Sequence, residues 1–321
     1  MVRISLLDLA LVHAGQTAGE ALDTSLELAR MAENSAYHRI WYSEHHNYPR
    51  VASATPAVLI AHIAAHTRRL RLGAGGVMLP NHSPLTVAEQ FGLLETLHPG
   101  RIDLGLGRAP GTDQATARAL VRSSDTENRF PEDVAALRGY LTGRSIVEGV
   151  QATPGSGTNV PLYILGSSVA GATCAASLGL PFAFASQFAP PALHEAVRTY
   201  RRQFRPSEQL KAPYVIAGIN AAVSNTSTKA SDQFDTYMRF EIEAARKEPN
   251  KKEAEEPANS SIRDQLEKSL EFSAIGTPAE AADYLKNFAS YADADELMIV
   301  HKSPTADAYI RSARLLAEPF R

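Results

Sequence analysis

Apolar positions along the chain follow two alternating periods. Short runs that are β-rich or apolar nearly throughout occupy Val2–Leu9, Arg39–Ser43, Leu70–Met78 and Arg101–Leu106, then Leu162–Leu165, Phe182–Ala185, Tyr214–Val223 and Glu296–Val300. Each is too short for a helix, and apolar runs without strict polar alternation are what strands covered on both faces require. Between them the spacing turns helical: Leu22, Leu26 and Ala29 share one stripe, as do Val87, Phe91 and Leu94. Thr55-Pro56, Ser83-Pro84, Thr277-Pro278 and Ser303-Pro304 each set a hydroxyl before a proline, which predicts an N-cap followed by Pro at the first helical position. Glu280, three residues after Thr277, completes a capping box.

Strand followed by helix, repeated through the chain, predicts an α/β fold with a parallel sheet closed into a (β/α)8 TIM barrel. An open doubly wound sheet would carry a glycine-rich dinucleotide fingerprint after its first strand, and LVHAGQTAGEA at 11–21 lacks that spacing. Residues 1–321 are expected to form a single barrel domain with insertions after strand 4 (109–160) and between strands 7 and 8. Within the second insertion, 246–261 (RKEPNKKEAEEPANSS) mixes charges and prolines with no core-forming residue. It reads either as a solvated loop or as a mobile lid over the barrel mouth.

Composition removes several classes of function. A formal charge of −3 argues against a nucleic-acid partner or an acidic-membrane surface. The single cysteine, Cys174, cannot make an internal disulfide, so nothing points to an oxidising compartment. No apolar run approaches the roughly 20 residues of a membrane helix. Asp8 interrupts the apolar start MVRISLLDLALVHAG, which reads as a strand rather than a signal peptide, and a cytoplasmic location is expected.

In such a barrel, chemistry belongs at the strand ends. After the second strand, WYSEHHN at 41–47 brings Glu44, His45 and His46 together. Neighbouring side chains alternate, so only one histidine of the pair can face the mouth, as a general acid or base or as a hydrogen-bonded packing group. His62 and His66 have helical spacing but no supporting Glu, Cys or Asp, so no metal site is expected. The third strand ends in LGAGGVMLPNHSP (72–84), whose glycines mean a bulge, tight packing at the rim, or a flat ligand against the backbone. The fourth ends in GRIDLGLGRAPGTD (100–113), where Arg108 offers a fork of donors for a phosphate or carboxylate.

The fifth strand runs into YILGSSVAGATCAASLGLP (163–181): Gly166 permits a turn, and Ser167 and Ser168 stand beside the free amides of a helix start, which favour a phosphate. Ser168 alone would read as an ordinary N-cap; with Arg108 on the neighbouring strand, a shared phosphate site is the better reading. No Gly-x-Ser-x-Gly elbow, P-loop or cysteine-centred nucleophile is present in the sequence. What remains is a flat, phosphate-bearing cofactor on a glycine-rich strand end, faced by a histidine. Leu79, Pro80 and Phe188 are expected to give the mouth an apolar wall.

The ordered set EHH at 44–46, LGAGGVMLPNHSPLTVAEQ at 72–90, HPGRIDLGLGRAPG at 98–111 and LGSSVAGATCAASLGLPFAFAS at 165–186, with IGTPAEAADYL at 275–285, resembles the bacterial-luciferase-like flavin monooxygenases. The resemblance spans nearly the whole chain. It implies that His45 faces flavin and substrate and handles one proton, that Gly75-Gly76 is a cis peptide beneath the flavin ring, and that Arg108 and Ser168 bind the FMN phosphate. Ser167 stands where the luciferase subunit has a glutamate. Gly171 replaces a phosphate-contacting threonine, so only its backbone could serve there.

The implied reaction uses reduced FMN, from a separate flavin reductase or another donor, and dioxygen to form a peroxyflavin that oxygenates a small, hydrophobic organic substrate. A homodimer is the implied assembly. Two alternatives stay open at this point: a deazaflavin-dependent hydride-transfer oxidoreductase on the same barrel, and a non-catalytic flavin-binding protein.

Overall fold

In the computed structural model, which describes residues 2–109, 111–120, 128–247, 266–268 and 270–321, all the strand pairings of the barrel are parallel. The strands are β1 (Arg3–Asp8), β2 (Arg39–Tyr42), β3 (Arg71–Met78), β4 (Ile102–Gly107), β5 (Leu162–Gly166), β6 (Phe182–Phe184), β7 (Val215–Val223), β8 (Ser273–Gly276) and β9 (Glu296–His301). Their order is β6-β5-β4-β3-β2-β1-β9-β7, and a β6–β7 pairing closes the ring of eight. The predicted (β/α)8 barrel is therefore observed, with its eighth strand at β9. One strand was not foreseen in the sequence: β8 pairs with Asn220–Val223, the end of β7 that lies beyond the part paired with the three-residue β6.

Helices cover the outside. They are α1 (Ala18–Glu33), α2 (Pro56–Ala65), α3 (Pro84–Leu97), α4 (Gln114–Ala119), α5 (Phe130–Thr142), α6 (Val169–Leu178), α7 (Leu193–Gln203), α8 (Ser227–Lys247), α9 (Pro278–Tyr291) and α10 (Ala306–Ala317). The insertion after β4 carries α4 and α5. Arg246 and Lys247 of the expected lid close α8, and the rest of that segment, 248–261, lies outside the described residues.

The capping signals fare unequally. Thr277 and Glu280 form the predicted capping box, and an unforeseen second one, Thr17 with Glu20, opens α1. Thr55 and Ser83 precede Pro at the first helical position, but neither hydroxyl caps. Ser303 is buried and is not a cap at all: Thr305 takes that place, accepting the Ala308 N–H at 3.3 Å, and α10 begins two residues later than Pro304 suggests.

Strand alternation divides the core in two. Ile4, Leu6, Ile40, Leu72, Leu104, Ile164 and Ile299 face outward and pack with helix residues such as Leu28, Ile60 and Phe91. Trp41, Tyr163, Ala183, Ile216 and Met298 face inward and fill the middle of the barrel.

At the N-terminal end of the strands the interior is ionic. Arg39 donates to Asp103 at 2.8 Å, to the Tyr163 hydroxyl at 2.7 Å and to Glu296 at 3.1 Å. Arg71 pairs with Asp103 from the other side. Ser5 and Tyr214 donate to Glu296 at 2.5 and 2.7 Å. This plug closes the bottom of the barrel, so only the C-terminal end is open to form a site.

Candidate active site

Above the inward-facing Trp41 the interior side chains become small. Gly75, Gly107, Ala185 and Gly218 line the upper barrel and open a cavity of about 830 Å³ at the C-terminal ends of the strands. That volume lies within the range of small-molecule sites. His45, Gly75, Arg108, Gly166, Ser167, Ser168 and Gly171, seven of the eight residues predicted from sequence, line this one cavity.

Gly76, the eighth, turns away from it: a Cβ there would stand 2.8 Å from the backbone oxygen of Gly105 on β4. The Gly75–Gly76 peptide is cis, as the resemblance implies. The β3–β4 register slips between Ala74 and Val77, so the predicted bulge is present at these glycines. A Cβ on Gly105 would approach the Ala74 oxygen to 2.3 Å, which shows how closely the two strands run beside the bulge.

One side of the cavity is built for an anion. Ser168 is the N-cap of α6 and accepts the Gly171 N–H at 3.5 Å, so the ordinary capping role and a place at the mouth coincide in one residue. Ser167, Ala170 and Gly171 line the cavity at the same helix start, and Arg108 lines it from the end of the neighbouring β4. Burial pushes the Cys174 thiol up, against the opposing influence of the Arg108 charge, so this cysteine is no ready nucleophile. Among the described lining residues there is no carboxylate. A cationic fork, two hydroxyls and a helix N-terminus fit a phosphate by their chemistry.

The histidines of the β2 exit separate as alternation requires. His45 lines the cavity, whereas His46 places Nε2 2.9 Å from the buried Glu44. His82, in the turn after β3, approaches the same carboxylate oxygen at 2.8 Å, and the Met78 N–H donates to Glu44 at 3.2 Å. Burial alone would raise the Glu44 carboxyl; hydrogen bonds from His82, His46 and the Met78 amide, with the His82 charge, outweigh it and hold the group below its ordinary range. The backbone around His45 is pinned as well. Its N–H donates to the Ser53 oxygen at 3.1 Å, and the His46 N–H donates to Gly111 at 3.3 Å. Gly111 has φ +65°, and a Cβ there would stand 2.9 Å from the Glu44 backbone oxygen.

Several cavity residues escaped the sequence reading, and three of them bear on the chemistry. Trp41, the chain's one tryptophan, lines the floor and donates from Nε1 to Asp103 at 3.2 Å. Gln187, after β6, lines the wall with its side-chain oxygen buried and unpartnered. Lys302 follows the end of β9 and points in. The period of two that sets Glu296, Met298 and Val300 inward continues to Lys302, and that signal was present in the sequence. Of the expected apolar wall, Phe188 lines the cavity, whereas Leu79 and Pro80 are buried outside it, drawn into the core by the short 3-10 turn that follows β3. His62 of α2 and its C-cap His66 meet with tilted rings whose centroids are 4.7 Å apart. The described residues hold no cluster able to take a metal ion, and none of their helices is long and apolar enough to cross a membrane.

Known proteins share both barrel and sequence. A luciferase-like monooxygenase of Escherichia coli K12 is 45% identical over 305 residues, covering 93% of this chain and 91% of that protein. The N-acetyl-S-alkylcysteine monooxygenase of Bacillus subtilis 168 is 38% identical over 229 residues, 68% of each chain. The crystal structure of apo-MsnO8 superposes with a TM-score of 0.87 at 33% identity, covering 100% of this chain and 98% of that one. The family model described as luciferase-like monooxygenase matches residues 2–294. This chain belongs to the luciferase-like monooxygenase family.

Proposed function

We propose that this protein is a monooxygenase that takes reduced FMN and dioxygen and oxygenates a small organic substrate in the barrel mouth. The observation that carries the reading is the convergence of Arg108, Ser167, Ser168 and the α6 N-terminus on one edge of a cavity whose other edges hold Gly75 and His45. When bound, reduced FMN supplies the two electrons that let one atom of dioxygen enter the substrate while the other leaves as water.

The chain's own residues have four tasks. Arg108, the serine hydroxyls and the helix start hold the phosphate. The glycine bulge of β3 leaves the ring a flat surface to lie on. The apolar floor and walls, Trp41, Leu7 and Met298 among them, keep water from the reacting atoms. His45, fixed by its backbone and facing the cavity, holds or moves one proton at an imidazole nitrogen.

The relatives' names support oxygen insertion as the reaction class, and the N-acetyl-S-alkylcysteine monooxygenase shows that one of them acts on a small organic molecule. In this reading the electrons reach the flavin from a separate flavin reductase or another donor. A homodimer is part of this reading, and it is supported by exposed Val58 on α2 and Leu93 and Leu97 on α3.

Anaerobic titration with reduced FMN, oxidised FMN and the deazaflavin, followed by admission of air and organic substrates, tests the proposal. Preference for reduced FMN and a product heavier by one oxygen atom are expected. Preference for the deazaflavin would move the assignment to hydride transfer, and peroxide release with every substrate would leave a flavin-binding protein without oxygenase activity.

A further inference from the structure

Across the mouth from the phosphate edge, the cavity carries a second cation. Arg108 and Ser168 follow the ends of β4 and β5, whereas Lys302 follows the end of β9, on the other side of the eight-stranded ring. Its Nζ lies 3.4 Å from the Tyr237 hydroxyl of α8 and 5.3 Å from that ring's centroid. The nearby carboxylate, Glu241, is engaged by Arg50 at 2.9 Å. Glu241 is therefore shared between Lys302 and Arg50; the other carboxylate of this corner, Glu243, is exposed in the adjoining pocket with Arg50, and the cavity lining adds no carboxylate of its own among the described residues. A desolvated cation without a full counter-charge is costly in the empty site, and it becomes favourable when a ligand brings the missing anion. Around it the walls are apolar: Leu7, Leu9, Met298 and Val300 line the same cavity.

We infer that Lys302, its ammonium held in place by donation to the Tyr237 hydroxyl behind the cavity wall, is the specificity residue that anchors the carboxylate of an organic-acid substrate whose apolar body reaches back over the barrel floor. The ammonium gives one proton to that hydroxyl and keeps two for a carboxylate, and it is not needed for the phosphate, which has its own donors on β4 and α6. Burial also pushes the Lys302 ammonium down to about 8, in keeping with a cation held out of water until its partner arrives. This deepens the flavin reading and rests on it only for the reaction at the substrate's other end.

Isothermal titration of the full chain with octanoate, 4-phenylbutanoate and N-acetylmethionine, each beside its primary amide, tests it with and without saturating FMN. The acids are expected to bind roughly 10- to 100-fold tighter than the amides, the value of a charge-assisted hydrogen bond. Lys302→Met should abolish that preference and Lys302→Arg should retain most of it, with FMN affinity the same in all three proteins. Equal affinity for acid and amide in every pair overturns the inference. So does a preference that survives in Lys302→Met, which would assign the carboxylate to Arg108. If the acid preference behaves as expected but FMN does not bind, the cofactor reading falls and the carboxylate site stands.

Discussion

His82 Nε2 lies 2.8 Å from Glu44 Oε1, and this one contact ties the exit loop of β2 to the turn that follows the glycine bulge of β3. Both loops border the cavity, so the buried carboxylate acts as a clasp beneath His45.

Glu44→Gln should loosen that clasp, lowering stability by about 1.5–3 kcal/mol at pH 7, the range for a hydrogen bond to a charged group. Because the folded protein holds the Glu44 carboxyl below its ordinary value, the stabilisation is fully present above that value and is lost as pH falls through the lowered one. Urea unfolding at pH 7 and near pH 4 should therefore show the gap between wild type and variant narrowing in acid. A gap that widens in acid would contradict this account of Glu44.

The ionic plug below Trp41 predicts a different outcome. Arg39→Met leaves Asp103 and Glu296 buried, with Arg39 no longer countering either. Removing one partner of a buried pair costs about 3–5 kcal/mol. Calorimetry should show a large fall in Tm, while FMN affinity of the folded fraction is unchanged, because the plug lies on the far side of the barrel floor. Tighter or weaker FMN binding would mean that the floor transmits the change.

His45→Ala separates binding from chemistry. Oxygenation should fall by roughly 10²–10⁴-fold, the usual contribution of a positioned acid or base, with FMN affinity nearly intact. Unchanged turnover would remove His45 from the proton's path.

Lys302→Met should raise Tm at pH 7, since it removes a cation that burial disfavours. The Lys302 ammonium is pushed down to about 8 from 10.5. Between those values the unfolded chain binds a proton that the folded one has released, so wild-type stability rises with pH there. The variant's advantage should shrink between about pH 8 and pH 10.5. A variant less stable than wild type at pH 7 would show Lys302 to be a packing residue.

How much of this was legible in the sequence depends on how local each signal is. The strands of the barrel and the phosphate edge were readable because short apolar runs, Arg108 and the Gly-Ser-Ser turn announce themselves within a few residues. Strand β8 was not: SAIG is too short to stand out, and it is a strand because the end of β7 has an edge that β6 leaves uncovered. Glu44 could be picked out, but its partners could not, since His82 is brought to it only when β2 and β3 pair. Leu79 and Pro80 show the converse. Their position after a strand suggested a mouth, and the tight turn there sent them into the core instead. Lys302 and Trp41 followed the inward period of their strands, yet which parity faces inward is known only once the barrel closes.

Trp41, the one tryptophan, lies in the cavity floor and can report directly on flavin binding. Quenching of Trp41 fluorescence should be titrated with FMN and with riboflavin, which has the same ring and no phosphate, in wild type and Arg108→Ala. Wild type should bind FMN roughly 10- to 100-fold tighter than riboflavin, and Arg108→Ala should remove most of this difference while riboflavin binding is unaltered. Equal affinity of wild type for the two ligands would contradict the phosphate site at Arg108 and Ser168, and with it the placing of the flavin.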